Sequence, residues 1–137
     1  MRTVNELIST HGVDIDEHLD REATVPVTAG LQRQGDVIVI PAVMAGRGRA
    51  EAITRVPAAG VAVVRGEAGG NTHLLLAAGS VYYHPAPAGL TLGVLTVAPG
   101  AVAYLAHPEH GYAGIGPGTY VIRRQREQAD VIRMVAD

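Results

Sequence analysis

From Ala23 onward the apolar residues fall in short runs of Val, Leu and Ile, separated by Gly, Pro and polar residues. Runs of this length and β-branched content, bounded by turn formers, predict strands rather than helices. Strands are expected at Asp36–Ile40, Ala52–Val56, Val61–Arg65, Thr72–Ala77, Ser80–Tyr83, Leu92–Val97, Val102–Ala106, Thr119–Gln125 and Val131–Val135. Most begin about 8–12 residues after the one before, the rhythm of an all-β sandwich or barrel. Three links have the appearance of hairpin turns: Gly66–Asn71, Ala98-Pro99-Gly100 and Glu127-Gln128-Ala129-Asp130. In Val131-Ile132-Arg133-Met134-Val135 apolar and polar residues alternate, so one face of that last hairpin should meet water.

The first residues follow a different pattern. Val4, Leu7 and Ile8 stand at i, i+3 and i+4, one face of a helix, and Thr3 with Glu6 three positions later forms a capping box. Gly12 should end this helix. The acidic stretch Asp14-Ile15-Asp16-Glu17-His18-Leu19-Asp20 follows, either as another turn or as a tether. So short a helix is marginal alone and must dock on the body or on a neighbour. The expected organisation is a helical, acidic segment over residues 1–22 and a β-barrel or β-sandwich body over residues 23–137, forming a single small domain.

Composition narrows the chemistry. The hydrophobic share is 47% with only five Tyr and no Phe or Trp, so a Val, Leu, Ile and Ala core is expected. Cysteine is absent, which excludes disulfides, thiolate catalysis and Cys-ligated metals. All eleven basic residues are Arg, which excludes a P-loop lysine and a Schiff-base lysine. Codon bias in a high-GC genome explains that preference better than a functional demand for guanidinium. A net charge of −2 does not suit a general polyanion binder. No apolar run approaches the roughly 18 residues of a membrane span, and the N-terminus lacks a signal-peptide core. A cytoplasmic location is therefore expected.

The densest chemistry lies in Ala106-His107-Pro108-Glu109-His110-Gly111, at the end of an expected strand. Imidazole and carboxylate together suit zinc, nickel, manganese or iron. On an extended strand His107 and His110 would point to opposite faces, so they converge only if Pro108 makes a turn. A third ligand must come from elsewhere. His73, just after the glycine-rich turn, is the first choice, with Glu109 and Glu67 as supporting carboxylates and His84 as a further option. The competing reading gives these histidines a hydrogen-bonding, structural role.

A second cluster is cationic. Arg123, Arg124 and Arg126, with Arg133 on the expected hairpin partner, could grip phosphates, carboxylates or an RNA backbone. Glu127, Asp130 and Asp137 could equally neutralise them. Gly66–Thr72 lacks a phosphate-loop lysine and precedes a strand, and neither Ser9 nor Ser80 lies in a hydrolase motif.

Three stretches carry a resemblance: Arg65-Gly66-Glu67-Ala68 running to His73; Leu105–His110; and Pro117–Glu127, continued by Ile132–Asp137. Over about residues 35–137 they resemble a family of small, uncharacterised bacterial β-proteins, a likeness that carries no activity. Asn71-Thr72-His73 followed by a later histidine is also similar to cupins, which implies a β-barrel metal site. The usual first cupin motif has two closely spaced histidines and a downstream glutamate, and Leu74–Ala78 contains no glutamate.

Three functions follow as expectations. The first is a non-catalytic β-barrel module acting by self-assembly, as a homo-oligomer, or by binding another protein. The second is a metal-dependent, cupin-like enzyme on a small molecule, with His73, His107 and His110 as ligands. The third is an RNA or anion binder using Arg123, Arg124, Arg126 and Arg133.

Overall fold

The computed structural model describes residues 1–46, 52–65 and 72–125. One helix, α1 (Val4–His11), precedes ten strands: β1 (Val27–Thr28), β2 (Gln32–Gln34), β3 (Val37–Pro41), β4 (Val61–Val64), β5 (His73–Ala78), β6 (Val81–Ala88), β7 (Thr91–Val97), β8 (Val102–His107), β9 (Gly111–Ile115) and β10 (Gly118–Arg124). They form two five-stranded sheets, ordered β1-β9-β8-β5-β4 and β2-β3-β10-β7-β6. The all-β body is as expected, and of its two candidate forms the chain takes the sandwich: the sheets stay open and do not close into a barrel.

Side-chain alternation explains how the sheets pack. Leu75, Ala103, Leu105 and Ile115 of the first sheet face Val37, Val39, Leu95, Val97, Tyr120 and Ile122 of the second, forming the inner core. With no Phe or Trp, four of the five tyrosines supply the bulk, Tyr83, Tyr104, Tyr112 and Tyr120 all being buried.

Residues of opposite parity on the first sheet, Leu76, Tyr104, Ala106 and Tyr112, face outward and are covered by α1 through Val4 and Leu7, together with Ile15 and Val25. The capping box forms as read: Thr3 Oγ1 accepts from the Glu6 amide at 3.1 Å and Glu6 Oε1 accepts from the Thr3 amide at 3.1 Å. Gly12 ends the helix in the left-handed region, its amide bonded to Ile8 O. The acidic stretch lies against the body. Tyr112 donates its hydroxyl to Val13 O at 2.7 Å, and Arg21 bonds Asp14 Oδ1 and Ile15 O, each at 2.9 Å.

Several strand expectations need correction. The turn Ala98-Pro99-Gly100 is not a hairpin: it carries the chain from β7 in one sheet to β8 in the other. A Pro/Gly turn fits either use, and only the sandwich decides between them. Ala52–Val56 is not a full strand. It meets the edge of β6 through one bridge, Arg55 with Tyr82, and through bonds of Val56 N to Val81 O and Tyr83 N to Thr54 O. Strands β1, β2 and β9 were not foreseen. The expected strand Val131–Val135 and its hairpin lie outside the described residues. Among the described residues, no helix is long and apolar enough to cross a membrane.

Candidate functional site

Strands β5 and β8 pair antiparallel with Leu74 opposite Ala106, which brings His73, at the start of β5, level with His107, at the end of β8. Both histidines share the inward parity of Leu75 and Leu105, so they sit inside one end of the sandwich, 4% and 6% exposed. Residues 108–110 then form the turn that convergence required, closed by a bond from His110 N to His107 O at 3.2 Å. It folds the exposed His110 ring back to 4.6 Å from His107 and 6.1 Å from His73, while His73 and His107 lie 4.3 Å apart, centre to centre.

The second sheet closes this end with a feature the sequence reading missed. Gln34 and Val37 pair across the two-residue turn Gly35-Asp36, joining β2 to β3. Gln34 points inward, and its Nε2 donates to Leu105 O at 2.9 Å and to Gly111 O at 3.1 Å, tying the two sheets together beside the histidines. Gly35 has φ +58°, and a Cβ there would stand 2.8 Å from His110 Nε2, so glycine serves both the turn and the close approach of the ring. The available signal was the Gly-Asp pair, a recognised hairpin turn, directly before the apolar run Val37–Ile40.

Gln34→Leu keeps the volume but removes both inter-sheet bonds. The expected cost is about 2 kcal/mol in urea unfolding, set by two buried carbonyls losing a donor. A loss below about 0.5 kcal/mol would show that the bonds contribute little.

Burial pushes the His73 imidazole down to about 4. The nearby His107 acts in the same direction, as does His110 less strongly, while Asp36 and the Gln34 backbone oppose them. His73 is therefore neutral at pH 7, the form that offers a nitrogen lone pair. Its Nε2 and the Oε1 of Gln34 are buried without a hydrogen-bond partner. His107 Nδ1 accepts from the Glu109 amide at 3.1 Å. The imidazole planes lie 16–37° apart, so the rings stack more than they aim at one point. Among the described residues, no group of three or more His, Asp or Glu side chains could hold a metal ion as the side chains stand.

The other sequence candidates separate. Glu109 is exposed in the 108–110 turn. His84 is exposed on edge strand β6, next to the buried Tyr83, away from the three converging rings. Glu67 lies outside the described residues, as do Arg126 and Arg133. Arg123 and Arg124 end β10, just past a register break after Ile122, and both are exposed. Arg124 pairs with Asp36 at 3.4 Å, and Arg33 bonds the Gln125 side chain, so guanidinium groups rim the same end of the sandwich as the histidines. Along β10, Tyr120 and Ile122 fill the core and Arg124 emerges at its rim.

Neither the curated proteins nor the solved structures yield a match to the chain. A family model does match, over residues 33–125, a span that holds the Gly35-Asp36 turn and all three converging histidines. The chain belongs to that family, described as a domain of unknown function, DUF8820.

Proposed function

We propose that the protein is a small metal-binding β-sandwich in which His73, His107 and His110 hold one divalent transition-metal ion. The carrying observation is that three imidazoles, from two strands and a turn, gather with ring centres 4.3–6.1 Å apart, and that one of them, His73, has a buried Nε2 without a hydrogen-bond partner. Two imidazoles bound at about 2.1 Å with about 90–110° between them hold their ring centres about 4.6–5.3 Å apart. The spacings of 4.3 and 4.6 Å are close to that range, and 6.1 Å is beyond it. Two of the three spacings therefore approach those of a shared ion, while the third and the ring orientations do not, so the rings must turn for binding. His110 is exposed in its turn, and His107 must release the Glu109 amide. An all-imidazole set suits zinc or nickel better than the oxygen-seeking cations. Neutral His73 binds at pH 7 without first losing a proton.

Assembly through open edges draws less support. Edge strands β1, β2 and β4 have two, three and four residues. The fourth edge, β6, carries Pro85 and Pro87 and is partly covered by residues 54–56. The cationic reading is weakened by the pairing of Arg124 with Asp36.

The test uses untagged protein stripped by a chelator and then titrated with zinc or nickel. About one equivalent should bind, with stabilisation of about 2.7 kcal/mol at one hundred times the dissociation constant. His110→Ala, an exposed change, should leave the fold intact and remove most of that stabilisation. Uptake below about a tenth of an equivalent with no thermal shift at that ligand excess would end the proposal.

A further inference from the structure

Strand β10 runs from Gly118 to Arg124, and its Arg124 end lies beside Asp36 and the histidines. Its other end opens on a groove of about 700 Å³ lined by Ile53, Tyr82, Val97, Pro99, Pro117 and Thr119, among others. Seven strand residues place the two ends about 20 Å apart. The groove is built from sandwich connections. Pro99 sits in the β7–β8 turn that crosses between sheets, and Pro117 in the β9–β10 turn that crosses back. Both are rigid and contribute no backbone N–H. Ala52 N bonds Thr96 Oγ1 at 3.1 Å, which holds Ile53 at the rim, where it is 86% exposed. The turn after β3 is bonded to Thr119 O through Ala42 N, and it presents Val43 and Met44 to solvent at the same end. Ile53 on the groove itself, and Val43 and Met44 on the neighbouring turn, are far more exposed than the aliphatic residues of the core.

The chemistry of the lining decides the class of occupant. Among the described residues no carboxylate, guanidinium or imidazole lines the groove, and its side-chain polar groups are hydroxyls of Tyr82, Thr96 and Thr119. A charged ligand would lose hydration there without compensation. The volume falls in the range of small-molecule sites, which are mostly apolar with a few polar groups to orient the ligand. We infer that this groove is a binding site for a small, uncharged, largely apolar molecule carrying a hydroxyl or carbonyl. It is independent of the metal reading, which concerns the opposite end.

Nile red, neutral and fluorescent in apolar surroundings, is the probe. Full-length protein should give a saturable fluorescence rise at about one equivalent, displaced by decanol and at least tenfold less well by decanoate. Ile53→Asp should weaken dye binding at least tenfold with an unchanged circular dichroism spectrum, because the side chain it replaces is exposed. His110→Ala should leave dye binding unchanged. Non-saturable binding, equal binding by Ile53→Asp, or equal displacement by decanoate would each overturn the inference. So would a dimer in sedimentation that Ile53→Asp dissociates while the dye fails to bind, since the groove would then be a contact between copies.

Discussion

Gly93→Ala is expected to destabilise the protein by about 3 kcal/mol, the upper end of what overpacking a core costs. Gly93 lies in β7, facing inward with Leu95 and Val97, and pairs with Ile122 on one side and Pro85 on the other. A Cβ there would stand 2.4 Å from the Tyr83 hydroxyl, 2.5 Å from its Cζ and 2.6 Å from His84 O. The tyrosine ring lies across the space a side chain would occupy, and the third contact is backbone, which cannot swing aside. Relief therefore requires β6 and β7 to part or Tyr83 to leave the core. Tyr83→Phe should not rescue the variant, because Cζ remains, and Tyr83→Leu should restore only part of the loss, because His84 O remains. Urea unfolding of the three proteins decides this. A Gly93→Ala protein within about 1 kcal/mol of the parent would mean that β7 relaxes far more easily than a packed core allows.

A second large effect is expected in alkali. Burial pushes the Tyr83 hydroxyl up to about 12. Burial does the same to Tyr112, reinforced by Asp14. An unfolded tyrosine ionises near pH 10, so the unfolded chain releases these protons first and stability falls as pH rises from about 10 to 12. Below pH 10 the contribution is fully present. Two groups raised by about two units each account for about 5 kcal/mol lost across the window, on the order of the whole stability of a small domain. The composition makes this measurement clean. Lysine and cysteine are absent and arginine titrates higher, so tyrosine is the only side-chain type titrating near pH 10–12. Tyrosinate absorbance and near-ultraviolet circular dichroism should change together and cooperatively above pH 10, and Tyr83→Phe should shallow the pH dependence. Ionisation of all five tyrosines near pH 10 with native circular dichroism retained would refute the expectation.

The sequence announced local structure well where a pattern belonged to one element alone. The capping box of Thr3 and Glu6 needs only four residues, and it forms as read. The runs at Val61–Arg65, Leu92–Val97 and Val102–Ala106 are strands within a residue or so at each end. Partnership was harder to read. Ala98-Pro99-Gly100 is compatible with a hairpin and with a crossing between sheets, and which occurs depends on how the whole chain packs. Gly111–Ile115 is rich in glycine and short of aliphatic residues, so its own propensity is poor, and it becomes a strand because β8 lies beside it. The meeting of the three histidines was legible as a condition, a turn at Pro108, and that turn is present. Gln34 was invisible because a glutamine in a polar stretch gives no sign that it will cross between sheets to Leu105 and Gly111.

The placement of α1 bears on the order in which the molecule assembles. The helix seats on Tyr104, Ala106 and Tyr112, about a hundred residues further along the chain, and the Tyr112 bond to Val13 O closes that loop. Eight helical residues do not hold their shape alone, so this segment is expected to find its seat only after β8 and β9 have paired. Its docking is therefore expected late in folding, and its release early in local opening. Such opening uncovers Leu76, Tyr104 and Ala106 while leaving the inner core between the sheets closed.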